Sequence, residues 1–161
     1  MGAFQVAVCG PRRATPADES AAFEIGQLLA DRGAVIICGG GVGVMASVTA
    51  GARSRGGVVI GVRPNDSREG AAPDLTATLV TNLGEARNAI IVWSADAVVV
   101  VGGSWGTLSE LALAKRRGGV PVVSIGGWRI IDADGDEVPG IVHAGSPGEV
   151  VELACAAQTS R

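Results

Sequence analysis

The run DAVVVVGG, Asp96 to Gly103, holds five consecutive apolar residues with no polar residue between them. A strand with one face in water alternates apolar and polar positions. A strand without alternation needs cover on both faces, and parallel sheets obtain that cover from the helices connecting their strands. The same character recurs in FQVAVCG, AVIICGGG, VVIGVRP and VPVVSIGG. Between these runs lie amphipathic stretches, TPADESAAFEIGQLLADRG, VGVMASVTAGARSRGG, LGEARNAIIVWSA and GTLSELALAKRRGG. The alternation predicts an α/β chain, a doubly wound, mostly parallel sheet with helices on both faces.

Local punctuation supports these elements. Thr15, Pro16 and Asp18 supply a cap, a first-turn proline and a carboxylate over free amides, and Gly33 supplies a left-handed stop. The segment NDSREGAAPDLTA, after Pro64, reads as a loop long enough to cover a site. TLVTN is a short strand. WRIIDADGDEVPGIV suggests a hairpin turning at Asp134-Gly135, and Ser146, Pro147 and Glu149 open a last helix with a capping box.

At 161 residues the chain fits one domain, taken as 1–161. A formal net charge of −3 supplies no global basic field for a nucleic-acid backbone, so the expected partner is a small molecule and not DNA or RNA. No apolar run approaches the roughly 18 residues of a membrane helix, and the start MGAFQVAVCG lacks a basic leader, so no membrane partner and a cytoplasmic location are expected. Gly2 lacks the Ser or Thr that a myristoylation signal places where Val6 stands. Cys9, Cys38 and Cys155 show no CxxC spacing and read as buried reduced thiols. His143 is the sole histidine, so no metal site is expected.

Ligands of open parallel sheets bind beyond the carboxyl ends of the strands, where helix N-termini direct amides at anions. Three glycine-bearing strand ends qualify. The first is Gly10. The second, Gly39, Gly40, Gly41 and Gly43, contains GxGxxA, which is either a phosphate cradle or a tight strand-to-helix turn. A dinucleotide site would place an acid at the next strand end, where Arg63 stands; arginine suits the extra phosphate of NADP instead. The third is VGGSWGTLSE, Val101 to Glu110. Thr107 and Glu110 fit a capping box, T-x-x-E. That box leaves Gly102, Gly103 and Gly106 around Trp105 unexplained, whereas open amides, the Thr107 hydroxyl and a helix dipole would together bind phosphate.

CGGGVGVM, VVIGVRP, ARN and VGGSWGTLSE, in that order, resemble the landmarks of the LOG-like (Lonely Guy) phosphoribohydrolases, whose hallmark is PGGxGTxxE preceded by an arginine-bearing helix. The resemblance spans Val6 to about Val123. It implies a Rossmann-like fold, a homodimer, no cofactor, and hydrolysis of the N-glycosidic bond of nucleoside 5'-monophosphates to free base and ribose 5-phosphate. By the same resemblance Arg87 and Glu110 are the catalytic pair. Gly103, Gly106 and Thr107 hold phosphate, with Gly39, Gly40, Gly41, Gly43, Ser104 and Trp105 beside them as binding residues. Gly102 replaces the hallmark proline, Ser104 its second glycine, and Asn88 stands where lysine often follows the arginine. These departures resemble a divergent, short bacterial branch of a superfamily that also holds nucleotide-sensing and molybdenum-cofactor carrier proteins, so a non-catalytic nucleotide or cofactor carrier is the alternative.

The residue types suit the chemistry. Departure of a base leaves an oxocarbenium-like ribosyl cation, which Glu110 would stabilise, or for which it would activate water, while Arg87 would clamp phosphate or steady the base. Trp105 and Trp93 have π-faces for a base, although tryptophans beside helices more often pack. Related chains have carried a lysine decarboxylase label; the sole lysine, Lys115, lies near a helix C-terminus where it complements the dipole, which speaks against pyridoxal chemistry.

Overall fold

Each unalternating run forms a strand: β1 (Gln5–Cys9), β2 (Val35–Cys38), β3 (Val58–Arg63), β5 (Ala97–Val101) and β6 (Val122–Ile125), joined by β4 (Ala77–Val80) and the two-residue β7 (Val142–His143). The computed structural model describes residues 2–160; Met1 and Arg161, the ends of the expected 1–161 domain, lie outside the described residues. The strands make one sheet in the order β4-β3-β2-β1-β5-β6-β7. Every neighbouring pair is parallel. The order turns back between β1 and β5.

The helices are α1 (Pro16–Asp31), α2 (Val44–Arg53), α3 (Arg87–Trp93), α4 (Trp105–Arg117) and α5 (Pro147–Cys155). Successive side chains of a strand point to opposite faces, so β1 divides its residues between two cores. Val6 and Val8 pack with Ile25 and Leu29 of α1, Val48 of α2 and Val150 of α5. Ala7 and Cys9 pack with Ile91 and Val92 of α3 and Leu111 of α4. All five residues of β5 are buried, which is why it carries no polar alternation.

The caps form largely as expected. Thr15 accepts from the Asp18 amide at 3.1 Å and the Asp18 carboxylate accepts from the Thr15 amide at 3.0 Å. Ser146 accepts from the Glu149 amide at 3.2 Å, but Glu149 reaches back to the Gly145 amide, one residue earlier than a capping box requires. The α1–α2 contact brings backbone against backbone: a Cβ at Gly26 would lie 2.2 Å from the Val48 carbonyl oxygen, and one at Gly51 1.9 Å from that of Phe23. Neither glycine has a positive φ, so space alone demands them.

The expected hairpin arm forms through an antiparallel bridge between Ile131 and Glu137. The Asp132 carboxylate accepts from the amides of Asp134 and Asp136, and Gly135 takes φ +91°. The expected loop after Pro64 lies on the second glycine turn, where the Ala72 amide donates to the Gly40 carbonyl at 2.9 Å. Among the described residues no helix is long and apolar enough to cross a membrane.

Candidate functional site

Because all strands run the same way, their carboxyl ends share one edge, and the reversal of order at β1 and β5 opens a crevice there. A cleft of about 530 Å³ occupies this edge, with Arg12, Arg87, Ser104, Gly106, Thr107 and Glu110 among its walls.

The cleft floor is set by how α4 begins. Ser104 has extended φ and ψ of −159° and 170°, the geometry of an N-cap, and its hydroxyl accepts from the Thr107 amide at 3.1 Å. Its Oγ also lies 2.9 Å from the Thr107 Oγ1. The capping box expected from Thr107 and Glu110 therefore does not form. Ser104 takes the cap three residues earlier, and Glu110 sits a turn and a half into the helix, free of capping duty. The amides of Trp105 and Gly106 belong to the first turn and have no intrahelical acceptor. A Cβ at Gly106 would meet nothing closer than Ser104 Oγ at 3.8 Å, so that approach is open.

Gly102 shows what the departure from the hallmark does. Its φ is +67°, which proline, held near −65°, cannot adopt. A Cβ there would also lie 2.9 Å from the Asp18 carboxyl carbon. The chain enters α4 by a route that a proline would forbid. Gly103 is required for another reason: a Cβ would lie 2.4 Å from Trp128 Cδ1, so its absence lets Trp128 lie against the turn. Trp105, 78% exposed, meets Trp128 edge to face with centroids 5.0 Å apart. Trp93 is 62% exposed and lies 5.3 Å beneath the Arg117 guanidinium. Neither packs into a core, contrary to the usual behaviour of tryptophans beside helices.

Gly39, Gly40, Gly41 and Gly43 form the second turn, behind the cleft. Gly40 and Gly43 have φ of +66° and +69°. A Cβ at Gly43 would lie 2.4 Å from the carbonyl oxygens of both Pro11 and Arg12, so glycine lets the loop after β1 close on α2. Val44 completes that contact by donating its amide to Pro11.

Arg87 and Glu110 come from different helices and both line the cleft, near enough for the Arg87 charge to act on the Glu110 carboxyl. Arg87 Nη1 donates to the carbonyl of Gly39 at 2.9 Å and to that of Val62, and its Nε donates to Asn88 Oδ1 at 2.8 Å. Glu110 is 9% exposed. Burial pushes its carboxyl up to about 7, opposed by the Arg87 charge and by a hydrogen bond from the Cys9 thiol. Burial, together with the Glu110 charge, holds the Cys9 thiol well above its ordinary range.

Sequence reasoning missed Cys9, Arg12, Arg13, Met45 and Asn88, all at this site. Arg12 and Arg13 had a signal, since they directly follow the glycine-bearing end of β1. Cys9 had none beyond its place at a strand end. All three cysteines are free and buried, as expected.

The sheet order and the cleft at its reversal define a Rossmann-like α/β protein. Residues 3–151 match the SLOG cluster4 family, and the chain belongs to that family of LOG-like proteins. Its fold is similar to that of the molybdenum cofactor binding protein from Rippkaea orientalis, with 33% identity, a TM-score of 0.87, and coverage of 98% of this chain and 99% of that one. The molybdenum cofactor carrier protein of Chlamydomonas reinhardtii is also similar, at 28% identity and a TM-score of 0.82 over 99% and 98% of the two chains. Cytokinin riboside 5'-monophosphate phosphoribohydrolase of Mycobacterium tuberculosis is 35% identical over 69% of this chain, which spans 64% of that protein's length.

Proposed function

We propose that this protein binds and carries a small, phosphate-bearing heterocyclic ligand, of the molybdenum-cofactor or nucleotide kind, without cleaving it. The phosphate sits at the start of α4, where the Trp105 and Gly106 amides, the Ser104 and Thr107 hydroxyls and the helix dipole converge. Arg12 and Arg13 add positive charge at the wall. A cleft of about 530 Å³ falls within the range of about 300 to 1,000 Å³ common for small-molecule sites. Similarity to carriers over nearly the whole chain supports the reading.

The observation that carries it is the state of Arg87. Hydrolysis asks this guanidinium to clamp the ligand, yet its Nε and Nη1 donate to Asn88 and to the carbonyls of Gly39 and Val62 at the ends of β2 and β3, which leaves only Nη2 for a ligand. Hydrolysis is the second reading, favoured by one feature: Arg87 and Glu110 share the cleft, and a carboxyl near 7 is able to move a proton at neutral pH. The homodimer implied by the resemblance stays part of the proposal, with the exposed Trp93 of α3 as a contact it would cover; a solution mass of two chains tests it.

Calorimetry with molybdenum cofactor and a panel of nucleoside 5'-monophosphates, followed by chromatography for free base, tests the proposal. Saturable binding with the ligand recovered intact is the expected result. Base release by the wild type and not by Glu110→Gln would replace the carrier with a phosphoribohydrolase, and no binding would remove both readings.

A further inference from the structure

We infer that Asn88 sets the specificity of this cleft: together with Arg87 it selects a heterocycle that carries an oxo group, as guanine, hypoxanthine and the pterins do, over one that carries an amino group in its place, as adenine does. The inference rests on the binding reading above and narrows its ligand class.

Asn88 is 8% exposed and lines the cleft, and its amide has a fixed direction. The Nε–H of Arg87 can only donate, so the Asn88 atom 2.8 Å from it is the carbonyl oxygen, and the NH2 group is turned away from Arg87. Among the described residues the Asn88 side chain makes this hydrogen bond alone, and the one fully enclosed side-chain nitrogen or oxygen without a partner is Arg63 Nε. Asn88 Nδ2 is therefore unpaired and open to solvent, in a side chain whose small exposure lies in the cleft wall. Arg87 supplies a second free donor. Its Nε and Nη1 are engaged by Asn88, Gly39 and Val62, which leaves the two N–H groups of Nη2. A Cβ at Gly39 would lie 2.6 Å from Met45 Sδ and 3.1 Å from Arg87 Nη2, so glycine is what lets the guanidinium seat in that wall. This corner of the cleft thus offers donors; Glu85, on the same wall, is exposed.

The corner faces the ring of the ligand because of where the phosphate sits. Thr107 stands at the start of α4, and Glu110 lies three residues on, a rise of about 4.5 Å along the helix. The Arg87 charge acts on Glu110, and Arg87 is bonded to Asn88. Thr107, Glu110, Arg87 and Asn88 all line the cleft, so this series crosses it from α4 to α3. A ligand with its phosphate on the first turn of α4 carries its ring past Glu110 to Arg87 and Asn88. An oxo group there accepts from Nη2 and Nδ2 through its two lone pairs. An amino group directs N–H at N–H and leaves both donors unpaired.

The test is calorimetry at fixed pH and ionic strength with GMP, IMP, AMP and ribose 5-phosphate. The wild type should bind GMP and IMP about tenfold or more tightly than AMP, the discrimination expected of a paired donor contact. Asn88→Asp keeps an oxygen for Arg87 Nε and exchanges the donor for an acceptor. Its added charge weakens all four probes alike, so the ratio of IMP to AMP affinity is what reports, and that ratio should fall to one or reverse. Asn88→Ala should weaken IMP far more than AMP. Equal binding of IMP and AMP by the folded wild type, tighter binding of AMP, or a ratio unchanged in Asn88→Asp overturns the inference and leaves the proposed function standing. An equal loss of IMP, AMP and ribose 5-phosphate in Asn88→Ala also overturns it, since Asn88 would then hold the sugar or the phosphate. No binding by any of the four probes removes both.

Discussion

Glu110 gives the molecule a pH dependence opposite to that of an ion-paired carboxylate. Its carboxyl is raised from 4.5 to about 7 in the folded chain, so between those values the folded state holds a proton that the unfolded state releases. Stability therefore falls as pH rises through that window and levels off above it. The full shift corresponds to about 3 kcal/mol, of which about 2.5 kcal/mol is lost between pH 5 and 8. Glu110→Gln keeps the shape and removes the titration. The stability of the wild type minus that of the variant, from urea unfolding at each pH, should drop by about 2 to 3 kcal/mol from pH 5 to pH 8. The other titrating groups are common to both proteins and cancel. A flat difference would mean that Glu110 is not buried as a neutral acid, and a rising one would mean that Arg87 outweighs its desolvation.

Two further substitutions separate folding from binding. Gly51→Ala would drive a methyl into the Phe23 carbonyl, 1.9 Å away, and should cost about 3 kcal/mol of overpacking against a helix-propensity gain of about 1 kcal/mol. An unchanged urea midpoint would show that α1 and α2 do not pack backbone to backbone. Gly106→Ala meets only Ser104 Oγ at 3.8 Å, so Tm should hold or rise while calorimetric affinity for a phosphate-bearing ligand falls. Loss of stability would place that residue in the packing and not at the cradle.

Much of the fold was legible because it rests on neighbours in sequence. The unalternating run Ala97–Val101 needed cover on both faces, and β5 lies between two helical layers. Thr15 and Asp18 are three residues apart and cap each other in place. The same local grammar failed at VGGSWGTLSE, where Ser104 and Thr107 both suit an N-cap. Spacing cannot choose between them; the extended backbone of Ser104 does.

By itself, then, the sequence determined the strands, the helices and the sheet edge at which glycines and helix starts would gather, since each follows from the period of apolar residues and from turn chemistry within a few positions. Only the tertiary structure decided what the gathered groups do. Arg87 is held by carbonyls 48 and 25 residues away. Glu110 has its raised carboxyl because α4 packs it against β1, beside Cys9. Arg63 feels the charge of Arg12, and Arg87 that of Arg63, because the sheet sets β1, β2 and β3 side by side. Charge and desolvation act through space, and a pattern of residue types along the chain carries no measure of that distance.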